Sequence, residues 1–427
     1  MNATTRDAGR PPRVRIDDLT EPRYTEDARA ILDFMEEAGS HLALEPRRLM
    51  DAAAAETGLH DFGPTGFTER LHVLCRAMRE EGGFNGAGVL QQHTFLVGLL
   101  KNRLLIEDLV HRHPEILDER IVAPIVICGL PRTGTTHLHN LVSADPALRS
   151  LPYWESLEPV LADKERPGPG EPDPRLERTA AALSFLHLAM PYFNRMHEMT
   201  VEHTHEEIQL LAIDFSTMLM ETTAPMPTWR DYYLSHDQRP SYAYLLKVLK
   251  VLQWLRGGTR WVLKSPQHLE QFPALVETFP DATFVVTHRD PVSVTASMVT
   301  MLAYSARLTR DTVDVKRIGS YWADRLARML HACAEGHDVL PEAQTIDVHF
   351  DEFMVDDMAM VQRVYDLAGQ PMDDRSRGAM TAFMAEHPRG RHGAVVYDLG
   401  EFGLDAAERR DALSFYTDRF GVSLESA

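Results

Sequence analysis

The stretch "CGLPRTGTTHLHNL", Cys128 to Leu141, decides how this chain is read. Gly129 is followed five residues later by Gly134, the glycine spacing of a phosphate-binding loop. A loop for nucleoside triphosphates would continue with Lys and Ser or Thr. Here Thr135 and Thr136 follow, and the charge inside the loop is Arg132. In front of it "APIVICG" (123–129) is a short apolar run with β-branched residues, the pattern of a buried strand. Behind it "THLHNLVS" reads as a helix. Strand, Gly-rich turn and helix together aim backbone N–H groups at an anion. Gly129 and Gly134 permit the tight path, Thr133, Thr135 and Thr136 offer hydroxyls, and Arg132 offers a charge-assisted contact.

Outward from this loop the class of structure changes. From Glu26 to about Ile116 the apolar spacing is helical, as in "ARAILDFMEEAG" and "FLVGLLKNRLLIEDLV". Helical spacing returns in "RTAAALSFLHLAM", "EEIQLLAIDFSTMLM" and "YAYLLKVLKVLQWL", after a Pro/Gly-rich loop at 163–175. Further strands are expected at "RWVLK" (260–264), "ATFVVTH" (282–288) and "AQTIDVHF" (343–350). "QHLEQFPALVETF", between the first two of these, reads as a crossover helix of a parallel sheet. Later helices are expected at "MVQRVYDLAG" and "AERRDALSFYTDRF". The expected fold is α/β, with a P-loop-like central parallel sheet flanked by helices and a largely helical N-terminal and middle cap. In boundaries, residues 1–120 form a helical N-terminal region, within which 1–24 are a polar arm. Residues 121–427 form the α/β domain, with an acceptor cap at about 155–256.

The chain of 427 residues carries 44 basic and 63 acidic side chains, a net charge of −19. A nucleic-acid surface needs clustered Lys and Arg, so that class is excluded, and an anionic ligand must be met by a local basic site. The scattered Cys75, Cys128 and Cys333 point to a reducing compartment without a disulfide framework. No run approaches the ~18 apolar residues of a membrane helix, and the first residues lack a signal-peptide core, so the expectation is a cytoplasmic protein.

"GLPRTGTT" resembles the 5′-phosphosulfate loop of sulfotransferases, which use 3′-phosphoadenosine 5′-phosphosulfate (PAPS) as sulfo donor and release 3′,5′-ADP. The match is nearest to the bacterial small-molecule branch, where Pro-Arg is common in the loop. In this resemblance Arg132, Thr133, Gly134, Thr135 and Thr136 hold the 5′-phosphosulfate, and no metal is required. "VVTHRDPVSVTASM" resembles the family's 3′-phosphate site, an Arg at a strand end and a Ser eight residues on: Arg289 and Ser297. From the residues alone, Asp290 is placed to cap the next helix and Pro291 suits its first position. Lys264 in "WVLKSPQHL" stands at the strand end where the family stabilises charge on the sulfo group. Arg389, Gly390 and Arg391 in "HPRGRHG" resemble, with different residues, the segment closing over the 3′-phosphate. The resemblance runs from about residue 90 to 415 and is vague over the cap.

The implied reaction moves a sulfo group to a hydroxyl of a small, rather apolar phenol or alcohol, with a general base. The animal cytosolic pattern of a His just after the Lys fails here, since Pro266 takes that place. His197 in "NRMHEMTVEHTHEE" is the favoured base, because an unperturbed imidazole titrates near pH ~6.5. Glu155 in "LPYWESLEP" is the second candidate, and Glu206 could orient an imidazole. His197, His203 and His205 lack a metal-motif spacing, and on a helix 203 and 205 would not share a face, so no metal is assigned. The methionines between 190 and 226 suit an adaptable apolar pocket. The alternatives are a P-loop phosphotransferase and a non-catalytic nucleotide-binding protein.

Overall fold

The structure, a computed structural model, describes residues 11–425. Four strands form one parallel sheet: β1 (Ile125–Cys128), β2 (Val262–Ser265), β3 (Thr283–His288) and β4 (Thr345–His349), in the order β2-β1-β3-β4. They fall where the apolar runs lie, β2 reaching one residue further, to Ser265. β1 and β3 are buried at every position. Alternate residues serve opposite faces. Val126, Cys128, Phe284 and Val286 join the larger core, while Ile125, Ile127, Val262 and Val285 pack with Leu138, Leu141, Val361 and Val364. A strand covered on both faces has no polar side to show, hence the unbroken apolar runs.

The strand order explains where a ligand can sit. From β1 the chain goes to the sheet edge as β2, then crosses to the other side of β1 as β3. The order reverses at the β1–β3 pair, where Cys128 stands opposite Val286. Beyond the strand ends at such a reversal lies the ligand crevice of open parallel sheets. The loop after β1 and the turn after β3 therefore emerge side by side, although far apart in sequence.

Four helices precede the sheet: Glu26–Gly39, Pro46–Thr57, Phe67–Glu81 and Gly86–Arg112. Their buried residues, among them Leu49, Leu71 and Leu100, belong to the same apolar cluster as Val126 and Phe284. The change of class near residue 120 is thus no break in the core. Of the N-terminal arm, residues 1–10 lie outside the described residues. The rest is ordered: the Val14 N–H donates to the Ala394 carbonyl (3.0 Å), and the Val396 N–H to the Val14 carbonyl (2.9 Å).

Three helical expectations need correction. "EEIQLLAIDFSTMLM" is helical only over Ile208–Ala212, followed by a 3₁₀ turn at Met218–Thr222. The buried Asp214 carboxylate holds Arg70 (2.5 Å), Arg103 (2.9 Å) and the Ser241 hydroxyl (2.7 Å), and the chain turns at Phe215 with φ 54°. "QHLEQFPALVETF" splits into a 3₁₀ turn, Pro266–Glu270, and a helix, Phe272–Thr278. Pro273 has no N–H for the Leu269 carbonyl, so one helix cannot run through. "AERRDALSFYTDRF" is two short helices, Ala406–Ala412 and Ser414–Phe420, meeting at the buried Leu413. Among the described residues no helix is long and apolar enough to cross a membrane.

Candidate active site

The loop after β1 enters the helix Thr135–Ser143 through Gly134, which has φ 86° and precedes the first helical residue. The first-turn N–H groups of a helix have no carbonyl behind them and are available to an anion. Gly129 packs so closely on β3 that a Cβ there would collide with the Thr287 hydroxyl. Thr133 departs from expectation. Its hydroxyl donates to the Leu130 carbonyl (2.7 Å) and pairs with Thr287 Oγ1 (2.7 Å), so it ties the loop to β3 instead of facing a ligand. Thr135 and Thr136 do line the cavity.

Arg132 has φ 72°, a left-handed conformation that costs a non-glycine residue about 1–3 kcal/mol. The twist lets one residue serve both signatures. Its carbonyl accepts from Arg289 Nη1 (2.6 Å), and its Nε donates to Ser297 Oγ (2.9 Å). Its Nη1 donates to the Met196 carbonyl, bringing the cap against the loop. Arg289 stacks over Phe350 at 4.0 Å and forms a two-point ion pair with Glu425 (2.6 and 2.9 Å). Asp290 caps the following helix, Pro291–Ala306, by accepting from the Val292 N–H (2.9 Å). Arg132, Arg289 and Ser297 are therefore one hydrogen-bonded cluster at the β1–β3 crevice.

Lys264, third residue of β2, is 3% exposed, and its ammonium pairs with Glu206. Two neighbouring glutamates hold this lysine. The Lys264 N–H donates to Glu207 Oε2 (2.7 Å), and Glu207 Oε1 meets His268 Nε2 (2.5 Å). The Tyr242 hydroxyl meets His268 Nδ1 (2.8 Å). Glu207, His268 and Tyr242 are buried, and nothing in the local sequence marks them.

Arg132, Arg289 and Glu206 line a cavity of about 980 Å³, whereas Lys264, Ser297, Glu207, His268 and Tyr242 are not among its lining residues. Its lining joins the basic Arg132, Arg289 and Arg389–Arg391 loop to the apolar Leu186, Phe193, Met298, Met301 and Leu302. Met196, Met199 and Met218 line it as well, whereas Met190, Met220 and Met226 are core. The C-terminal loop is pinned down: Arg389 pairs with Asp357, and Arg391 and His392 pair with Glu198. Gly390 has φ 75° at its turn.

His197 lines the same cavity. Its ring meets His203 edge-on at 5.5 Å, and His203 meets His205 at 5.9 Å. The segment is not helical, so the expectation that 203 and 205 cannot meet fails. Burial, then His203, Lys264 and Arg132, hold His197 well below the ordinary histidine range. Burial and then Lys264 lower His203 to about 4, and His205 is held well down by burial. The three rings are thus neutral acceptors near pH 7. Among the described residues no three His, Cys, Asp or Glu side chains converge as metal ligands. Glu155 is not at the cavity. It is 1% exposed and locked between Arg149 (2.6 Å) and Arg256 (3.0 Å).

Comparison with known proteins agrees with this geometry. The model of the "Sulfotransferase family" matches residues 124–374. The chain is 23% identical over 292 residues to the omega-hydroxy-beta-dihydromenaquinone-9 sulfotransferase Stf3 of Mycobacterium tuberculosis, covering 63% of this chain and 69% of that one. The crystal structure of sulfotransferase STF1 from M. tuberculosis superposes with TM-score 0.75 at 29% identity, over 86% of this chain and 98% of the other. That of STF9 from Mycobacterium avium gives TM-score 0.79 at 24% identity, over 89% and 98%, a likeness of fold. With the family model matching more than half of its length, this chain belongs to the sulfotransferase family.

Proposed function

We propose that the chain transfers the sulfo group of PAPS to a hydroxyl of a small, rather apolar alcohol or phenol. One observation carries this reading: Arg132, Arg289 and the helix N-terminus at Thr135 and Thr136 line one cavity together with Leu186, Phe193, Met298, Met301 and Leu302, and Ser297 is hydrogen-bonded to Arg132. The basic part suits a nucleotide with phosphates at both 3′ and 5′ positions, Arg289 and Ser297 taking the 3′ group and the Arg132 loop the 5′ group. The acceptor oxygen attacks sulfur, the bond from sulfur to the nucleotide oxygen breaks, and 3′,5′-ADP leaves with that electron pair. His197 takes the acceptor's proton: it lines the cavity and is uncharged in the folded protein, but burial lowers it from the near-neutral range expected from the sequence, which makes it a weaker base. Lys264, released from Glu206 by the incoming anion, stabilises charge on the departing oxygen. The relative named for an omega-hydroxylated menaquinone acts on an apolar molecule bearing a hydroxyl, the class that the Met- and Leu-lined part favours here.

Glu155 fits the base role poorly, since both its oxygens are engaged by guanidinium groups away from the cavity. The test is to incubate the protein with PAPS and a graded series of phenols and alcohols, following sulfonated product and 3′,5′-ADP together. Equimolar formation of both supports the reading. Consumption of ATP with phosphorylated product, and none of PAPS, would replace it with phosphoryl transfer.

A further inference from the structure

The arginine assigned to the 3′-phosphate is held from behind by a carboxylate from the C-terminal segment. A guanidinium has five N–H groups. On Arg289, Nε–H and one Nη2–H go to Glu425, at 2.6 and 2.9 Å, and one Nη1–H goes to the Arg132 carbonyl at 2.6 Å. Phe350 covers one face of the plane. One hydrogen on each of Nη1 and Nη2 is left. Arg289 lines the cavity and Glu425 does not. Glu425 is itself fixed: its N–H donates to Asp290 Oδ2 (2.9 Å), and its carbonyl accepts from Arg410 Nη2 (2.9 Å). Nearby, the Ser423 hydroxyl donates to Asp351 (2.7 Å).

We infer that Glu425 is a positioning residue for donor binding, holding the Arg289 guanidinium so that its two remaining N–H groups face the 3′-phosphate. This rests on the PAPS reading above. Two effects of Glu425 oppose each other. Its negative charge lowers the local attraction for phosphate, but its side chain is 36% exposed, so water and salt screen that term. Its ordering of a long, flexible side chain is not screened and removes an entropic cost from binding. Ordering therefore dominates, and losing the carboxylate weakens the 3′-phosphate contact.

The test uses the full chain with Glu425→Gln and Glu425→Asp, titrated with 3′,5′-ADP and with 5′-AMP, alongside kcat and KM for PAPS. Glu425→Gln is expected to weaken 3′,5′-ADP by about two- to tenfold, the scale of one side chain's ordering. It should leave 5′-AMP unchanged and raise the KM for PAPS at unchanged kcat. Glu425→Asp should recover part of the loss. Tighter 3′,5′-ADP binding by Glu425→Gln would show a competing carboxylate and overturn the proposal. So would equal weakening of both nucleotides, which is the mark of a structural role, or no change at all. A wild-type protein that fails to distinguish 3′,5′-ADP from 5′-AMP would instead remove the donor reading on which the proposal stands.

Discussion

The basic and the apolar parts of the cavity lining are built in opposite ways. The basic part stands on strand ends, where the β1–β3 pairing fixes Arg132 against Arg289 and glycine is required by close packing on Thr287. The apolar part is made from irregular chain and helix sides, with His197, His203 and His205 on a non-helical segment and methionines arriving from three parts of the sequence. Backbone geometry dictates residue type in the first; in the second only size and polarity are constrained.

This contrast assigns different effects to substitutions on the two sides. The largest belongs to the cap. His197→Ala should lower kcat by about 10²–10⁴-fold, the usual range for a lost general base, with 3′,5′-ADP affinity near wild type. The loss should be greater for an aliphatic alcohol than for a phenol, whose proton leaves more readily. A kcat within tenfold of wild type on a poorly acidic alcohol would clear His197 of the role. Next comes Glu155→Gln. Breaking a buried ion pair costs about 3 kcal/mol, so urea denaturation should show a large loss of stability while kcat of the folded fraction stays close to wild type. A selective fall in kcat without destabilisation would return Glu155 to the active site.

A smaller effect concerns pH. The folded protein lowers His203 to about 4, against ~6.5 in the unfolded chain. The fold favours the neutral ring, so this contribution is complete above pH ~6.5. Below that the unfolded chain binds the proton first, and stability falls until His203 also protonates in the fold. His203→Gln should flatten the acid limb of the melting temperature between about pH 6.5 and 4. An unchanged limb would mean that the ring is solvated. The smallest expected effect is none: EDTA should leave sulfo transfer intact, since the charges on the donor are met by Arg132, Arg289 and Lys264. Loss of activity restored by a divalent ion would break the symmetry of that account.

The same contrast explains what could be read from sequence. β1 and the helix after its loop were legible because strand burial and helix entry each leave a local pattern, whereas Arg289 and Ser297 were picked out by the family resemblance. That the Thr133 hydroxyl is taken up by Thr287 was not legible, because Thr287 belongs to another strand. Glu206, weighed as an orienting residue, pairs with Lys264, and Glu207 holds the Lys264 backbone from 57 residues away. Glu425 meets Arg289 across 136 residues, with no motif around Glu425. The helix expected through Phe215 failed because Asp214 is drawn to two arginines from the N-terminal helices. Each of these contacts depends on the packed fold, which a local pattern does not encode.

The most direct test of the central claim is calorimetric titration of the wild-type protein and of Arg289→Ala with 3′,5′-ADP and 5′-AMP. Charge-assisted hydrogen bonds contribute about 1.5–3 kcal/mol each, so the wild type should prefer 3′,5′-ADP by at least tenfold. Arg289→Ala should erase most of that preference, weakening 5′-AMP far less than 3′,5′-ADP even though the Arg132 carbonyl loses its partner. Equal affinity of the wild type for the two nucleotides would contradict the assignment of the β1–β3 crevice to a 3′-phosphorylated donor.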